Sequence, residues 1–375
     1  MRTLEFKFEV VTPMFIGGAS PNGEAELRPP SIKGMLRWWF RALGGSRDEE
    51  ERIFGKGGKE SWRSKVKIYM PDSLSGSWRF DRNRYSRYDR PGNCNDRRIK
   101  INGIVYAGYS LGLGGNNRKA IPAGRSFRLV LRTASLSKDY LKAIEAVLWA
   151  MGNLGGLGTR WRRGFGSVQL VEGEYFRRIS SANPQEWRSK FSLVWREVKN
   201  ALLAIKVPKP AALWQLDKVY VWRRSYNTWE DALNEIASQM QEFRQCRNPD
   251  HDDVYYFLAK NKRLNIAPER SAFGLPITFR FRKIRGSATF MPADHERMAS
   301  PVIFHIAKLN GNRFLPLLVK MKGPFLEKDE KIRIKERRNI FLPKPGNYID
   351  NGADDTLIKS FINEVVRPIT WEVPL

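Results

Sequence analysis

The sequence predicts an α+β protein made of two structurally related halves, and three observations predict it. At roughly 150 residues per domain, 375 residues make about two domains. Up to about residue 171, strand-period and helix-period segments follow one another as β-α-β-insertion-β-β-α-loop-β. Less one extra strand, that is the split βαβ (ferredoxin-like) order. From Asn183 an α+β pattern starts again, with no repeat that a shared sequence would leave.

Each element has a local reason. Leu4–Val10 alternates apolar and charged residues, as a strand with one buried face does. Residues 13–30 carry Gly17-Gly18 and Pro29-Pro30 and read as loop. Ser31 stands where a helix cap belongs, and an amphipathic helix runs from there to Leu43. Lys65–Met70 is a second strand, and residues 71–103 form a long polar insertion. Ile104–Leu111 and Ser126–Arg132 read as strands. Ser137 is placed to cap a helix from Lys138 to about Leu154, and Ser167–Val171 is a strand. In the second half, Pro184 opens a helix to about Ala204, with Trp187, Phe191, Trp195, Val198 and Leu202 on one side. Asp217–Arg223 is a strand and Trp229–Gln245 a helix. Thr278–Ile284, Pro301–Lys308 and Arg313–Met321 are strands, the last two joined at Asn310-Gly311. Thr356–Val366 is a last helix.

Charge sets the expected partner. Sixty-six Lys and Arg against thirty-nine Asp and Glu leave a net charge of +27, which invites a polyanion. Twelve Trp, twelve Tyr and twenty-one Phe supply flat surfaces for stacking on unpaired bases as well as for cores. With 42% hydrophobic residues the chain is not a disordered one. The most apolar stretch, Tyr140–Leu157, is interrupted by Lys142 and Glu145, so no membrane span is expected. Cys94 and Cys246 are too few for a disulfide framework and fit a reducing compartment. The N-terminus has no signal-peptide core, so a cytoplasmic location is expected.

The densest motif is Gly152–Gly166, GNLGGLGTRWRRGFG. Gly155, Gly156, Gly158, Gly164 and Gly166 permit close backbone approach, and Arg160, Arg162 and Arg163 offer bidentate phosphate contacts. The reading is an RNA-backbone loop; the bland one is a helix C-cap and connector. It is neither a P-loop nor a dinucleotide fingerprint, so no nucleotide cofactor is expected. On the Ser31–Leu43 helix, Lys33, Arg37 and Arg41 share one stripe at about 100° per residue, with Trp38 beside it as a stacking platform or an interface residue. Trp39 falls with Ile32, Leu36 and Leu43 on the core side. In the insertion, Arg84, Arg87 and Arg90 interleave with Tyr85 and Tyr88, which fits RNA contact or a solvated loop.

Catalytic signals are thin. His251, His295 and His305 are the three histidines, and neither they nor the cysteines have metal-ligand spacing. Cys246 and His251 make an accidental pair, and no hydrolase motif or two-metal carboxylate pattern appears. No metal and no cofactor are expected.

Glu26–Leu43 (ELRPPSIKGMLRWWFRAL) and Gly155–Ser167 (GGLGTRWRRGFGS) together resemble the RAMP superfamily of CRISPR proteins. The Trp-Trp helix resembles the family of first-numbered subunits of type III-B Cmr effector complexes, and Arg297–Pro301 resembles a weaker RAMP motif. The resemblance implies two ferredoxin-like (RRM-like) domains in tandem. These would be residues 1–180, with the basic insertion at about 71–103 and the Gly-rich loop at 152–166, and residues 181–375. It implies a non-catalytic subunit that binds crRNA, at its 3′ part, and target RNA beside other RAMP subunits in antiviral defence. RAMP subunits that cut target RNA use an Asp in the loop after the first strand; residues 12–30 contain none. The insertion occupies the place of the RAMP thumb. Two other functions stay open: a metal-independent endoribonuclease processing CRISPR RNA, and an assembly adaptor without RNA affinity.

Overall fold

Alternation decides the first strand: in β1 (Arg2–Val10), Leu4, Phe6, Phe8 and Val10 are buried, and Glu5 and Lys7 between them are exposed. The first half continues through β2 (Ala25–Leu27), α1 (Pro29–Ala42), α2 (Arg47–Phe54) and β3 (Val66–Tyr69). An insertion follows, holding β4 (Leu74–Gly76), β5 (Trp78–Arg79), β6 (Arg90–Cys94), β7 (Arg97–Ile101), α3 (Gly103–Ala107) and β8 (Lys119–Ala120). Then come β9 (Ser126–Thr133), α4 (Lys138–Leu154) and β10 (Val168–Glu172). The computed structural model describes residues 2–18, 23–94, 97–109, 111, 118–205, 215–246, 250–260, 262–323, 326, 329–337, 347–351 and 354–375.

The first sheet is antiparallel in the order β10-β1-β9-β3. Numbered by chain position among themselves, those strands run fourth, first, third, second. α4 lies close on it: a Cβ on Gly152 would sit 2.9 Å from the Leu170 nitrogen and 3.2 Å from the Phe8 ring.

The second half runs α5 (Pro184–Leu203), β11 (Gln215–Trp222), α6 (Trp229–Cys246) and α7 (Asp250–Lys260). β12 (Ile277–Phe281), β13 (Gly286–Pro292), β14 (Val302–Lys308), β15 (Phe314–Lys322), β16 (Ile332–Arg337) and β17 (Asn347–Ile349) follow. The chain ends with α8 (Thr356–Phe361), a π-helical turn to Val366, and β18 (Thr370–Val373). The second sheet is also antiparallel, β14-β15-β11-β18. Numbered in the same way, it has the first sheet's strand order read from the opposite edge. A third sheet, β12-β13-β16-β17, packs with α7 around its own small core of Val254, Phe279, Phe281, Phe290, Ile332 and Ile334.

Several expectations meet corrections. Ser31 does not cap α1: the helix begins at Pro29, Arg28 is extended, and the Ser31 amide donates to the Arg28 carbonyl at 3.0 Å. Ser137 stands at the start of α4, but its side chain makes no capping bond. The strand expected over Ile104–Leu111 is the helix α3. Its β-branched residues favour a strand locally, but the Asn102 side chain caps the turn by accepting from the Val105 amide at 3.1 Å. Gly103 seals the choice, because a Cβ there would lie 2.3 Å from the Asn234 carbonyl of α6. Tertiary packing overrides the propensity. α7, β13, β16 and β17 have no counterpart in the sequence reading.

The two halves share one apolar cluster that runs from Leu4 to Val373. Its seam is hydrogen-bonded. β14 is the edge strand of the second sheet, and side chains of the first half cover part of that edge. The Ile306 amide donates to the Ser167 hydroxyl and the Lys308 amide to the Gln169 side-chain oxygen, each at 3.1 Å. The Phe304 amide donates to the Arg162 carbonyl at 3.1 Å. The insertion is fixed to α6 in turn, with Asn102 N on Gln241 Oε1 at 2.8 Å and Gly103 N on Asn234 Oδ1 at 2.9 Å. Among the described residues no helix is long and apolar enough to cross a membrane.

Candidate nucleic-acid interface

The glycine-rich segment lies between α4 and β10, and its glycines face protein. At Gly166 (φ +68°) a Cβ would fall 2.0 Å from the Leu157 carbonyl oxygen, and at Gly158 (φ +85°) 2.3 Å from that of Phe15. Gly155 leaves room for the Trp39 indole, Gly156 for the Gly166 carbonyl and Gly164 for Leu233. The close approach expected toward an anion is thus spent on folding the loop against its own neighbours.

The arginines of the loop are half-buried and pack against protein. Arg162 lies over the rings of Trp38 and Trp161, 4.8 Å from each centroid, and donates to the Ser300 carbonyl at 2.6 Å. Arg163 donates to the Phe273 carbonyl at 3.4 Å and lies 5.7 Å over the Phe304 ring. Its Nη1 is buried without a hydrogen-bond partner. Burial, more than the neighbouring arginines, pulls both guanidiniums down to about 10. They stay charged at neutral pH, at a desolvation cost that an anion alongside would relieve.

A cleft of about 840 Å³ opens where the loop, the insertion, α6 and the segment before β12 meet. Arg82 and Lys100 come from the insertion, Arg160 and Arg163 from the loop, Arg244 from α6 and Arg270 from the segment before β12. A second hollow of about 720 Å³ shares Arg160, Arg163 and Arg244 with the first and adds Arg118, Arg162 and Arg297. The acid in these walls, Asp89, is bound by Lys100 at 2.5 Å and Asn102 at 2.8 Å, and the Lys100 contact holds its carboxyl below the usual range.

Second contacts hold the cations in place. Arg244 donates to the Tyr106 hydroxyl at 2.8 Å and lies over Phe273. Arg270 is anchored by buried Asp250 at 2.9 Å and lies 4.7 Å over Phe279, with its Nη2 lacking a partner. Tyr106, Tyr109, Phe279 and Trp161 give the walls flat rings. Fixed guanidiniums beside rings are what a single-stranded polyanion with stacking bases requires.

The residues singled out in the sequence part company. Arg160 and Arg163 line the cleft, and Arg162 lines only the second hollow. Lys33 lies in a separate groove of about 390 Å³ with Arg63 and Lys67, between the first turn of α1 and β3. Burial, then Arg37, lowers its pKa. Arg37 and Arg41 both bind Glu50 of α2, which is 1% exposed, so two cations of the helical stripe are spent on a helix–helix ion pair. Trp38 is half-buried, edge-on to Trp39 at 5.1 Å and to Trp161 at 5.2 Å. Trp39 is fully buried, as helical phase predicts.

In the insertion, Arg84 is exposed, Arg87 lies 4.8 Å over the Tyr88 ring, and Arg90 pairs with Glu242 at 2.6 Å. Tyr85 is a core residue stacked on Phe80, and Tyr88 donates to Asp231 at 2.8 Å. Both tyrosines are thus turned inward, because their rings fill the joint between insertion and second half. Arg82 and Lys100 belong to the basic insertion without having been singled out, whereas Tyr106, Arg244 and Arg270 escaped the sequence reading; they are far apart in the chain and share no local spacing.

The histidines lie off the cleft. His305 is fully buried and donates from Nδ1 to the Gly155 carbonyl at 2.7 Å, and burial pushes it down to about 4. His251 contacts Asp252 and His295 contacts Glu330. Cys246 is disulfide-bonded, which the reading of two cysteines as a sign of a reducing compartment did not anticipate. Among the described residues no three His, Cys, Asp or Glu side chains group as a metal site.

Two antiparallel sheets of matching strand order, joined along a covered edge beneath an arginine-lined cleft, define the architecture of an α+β protein. The chain belongs to the RAMP superfamily, whose model matches residues 7–169. It is similar to the CRISPR system Cmr subunit Cmr1-1 of Pyrococcus furiosus, with 28% identity over 335 residues, 83% of this chain and 85% of that one. With Cmr1-2 of the same organism it shares 30% identity over 187 residues, 44% of this chain and 93% of the relative. The fold resembles the crystal structure of Cmr1 from Pyrococcus furiosus in its apo form, with a TM-score of 0.60 at 20% identity, covering 100% of this chain and 99% of that one.

Proposed function

We propose that this protein is a non-catalytic, RNA-binding subunit of a type III-B CRISPR (Cmr) effector complex. It would hold the 3′ part of the crRNA, target RNA, or both, next to other RAMP subunits, in the cytoplasm and in antiviral defence. The observation that carries the reading is the convergence of Arg160, Arg163, Arg244 and Arg270 on one cleft with Tyr106 and Tyr109 in its wall. Phosphates are held by fixed guanidiniums and bases by rings, so binding is tolerant of sequence. Sequence would then be read by pairing with the guide. The finer fold reading, two ferredoxin-like domains, is supported by the shared strand order of the two sheets.

The non-catalytic part rests on acid–base geometry. Metal-independent RNA cleavage needs a proton acceptor at the scissile 2′-hydroxyl, most often a histidine. His305 is sealed from solvent, and His251 and His295 lie outside the walls of the cleft. Labelled single-stranded RNA incubated with the purified chain in EDTA tests both parts. Retention with intact RNA is expected. Cleavage lost in a His251→Ala or His295→Ala variant would make it a nuclease, and no retention at low salt would make it an adaptor.

A further inference from the structure

The third sheet has one face packed on α7 and one face left open among the described residues. In the segment ITFRFRKIRG (residues 277–286) apolar and basic residues alternate at the start. β12 therefore sends Phe279 and Phe281 inward and leaves Thr278 and Arg280 exposed. The antiparallel register carries that division across the sheet. Thr278 stands opposite Thr289, Thr289 opposite Lys335, Met291 opposite Arg333, and Arg333 opposite Tyr348. The open face thus presents Arg280, Lys335, Arg333 and Tyr348, all exposed, with Tyr348 at 57%. None of the outward positions in these pairs is acidic. Glu336 turns to the packed side, and Asp350 follows β17. The β12–β13 hairpin adds exposed Arg282, Lys283 and Arg285. Thr278 also lines the cleft, so this face continues from it.

We propose that this open face is a second contact surface for single-stranded RNA, which leaves the cleft past Thr278 and crosses the strands toward Tyr348; the proposal rests on the reading of the cleft as an RNA site. Neighbouring strands about 4.8 Å apart put Tyr348 about 14 Å from β12, a few nucleotides of path. Arg280, Lys335 and Arg333 neutralise phosphates along it, and the Tyr348 ring takes the face of a base. Among the described residues the face carries cations without intervening acids and two apolar side chains at most. This suits a polyanion better than a protein surface, which needs a desolvated apolar centre.

Titrating the full chain with oligonucleotides of about 5 and about 15 residues, within the roughly 4–16 that single-strand-binding folds cover, at several salt concentrations tests it. The wild type should bind the longer strand more tightly. An Arg280→Ala, Arg333→Ala, Lys335→Ala variant with an unchanged melting temperature should bind the short strand as before and lose that gain. Its salt slope on the long strand should drop by about 2, from about 0.7 per phosphate contact. Tyr348→Ala should weaken long-strand binding about fivefold or more. A variant that keeps both gain and slope overturns the proposal and leaves the face to a protein partner. A wild type that binds both strands equally overturns it with the cleft intact, whereas one that binds neither overturns the cleft as well.

Discussion

Trp38 and Trp39 are adjacent on α1 and live in different surroundings. Trp39 fills the space that Gly155 leaves, with no exposed surface. Trp38 stands half-buried between Trp39, Trp161 and the Arg162 guanidinium. Trp39→Ala should therefore cost roughly 3–5 kcal/mol of stability, as deletion of a buried indole does. Trp38→Ala removes two edge-to-face pairs at about 0.5–1.5 kcal/mol each. It also frees Arg162 from its ring, so a smaller loss of melting temperature should come with weaker RNA binding. Thermal melts and RNA titrations of both variants check this, and equal destabilisation would contradict the assignment. Helical phase made the core role of Trp39 legible in the sequence. It could not reveal that Arg37 and Arg41 meet Glu50, because Glu50 belongs to another helix whose packing angle no spacing encodes.

At the scale of elements, the joint between the sheets depends on β14, and β14 carries a buried histidine. His305 is held neutral, its Nδ1–H on the Gly155 carbonyl. An unfolded histidine takes up a proton below about 6.5, whereas the folded one does so only near pH 4. The contribution is complete above pH 6.5 and is lost as pH falls through that window, by up to about 3 kcal/mol. Glu145 works in the opposite sense. Burial pushes its carboxyl up to about 7, so the folded state keeps a proton that the unfolded state releases from about pH 4.5, and stability falls as pH rises through that range. Wild-type melts therefore mix the two. His305→Asn keeps an amide donor for Gly155 and should flatten the acid limb relative to wild type; an unchanged limb would show that His305 does not set it. The strands flanking this joint were legible from alternation and from the turn at Gly311. Of the third sheet, only β12 was legible, as the strand read at Thr278–Ile284; β13, β16 and β17 were not, because they come from two separate stretches of chain and β13 follows a basic hairpin that reads as surface loop.

Across the whole molecule, the cleft and the hollow beside it gather cations from residue 82 to residue 297. The glycine-rich motif pointed to one wall of it. The opposite wall depends on α3 docking on α6, an arrangement the strand-like Ile104–Ala107 run conceals. The cations that line the hollows differ in what holds them. Arg162 is bound to the Ser300 carbonyl and to two indoles, so Arg162→Gln should lower the melting temperature by loosening the loop from the segment before β14. Arg160 and Arg244 line both hollows. An Arg160→Gln, Arg244→Gln double variant loses the Arg244–Tyr106 hydrogen bond, so some loss of melting temperature should come with weaker binding of every RNA sequence alike. Two lost phosphate contacts should reduce the log–log salt slope by about 1.4. Measuring affinity between low and moderate salt for two unrelated sequences gives the slope and the sequence dependence together. If the slope is unchanged while one sequence suffers more than the other, the two arginines read bases, and the backbone account of the cleft is wrong.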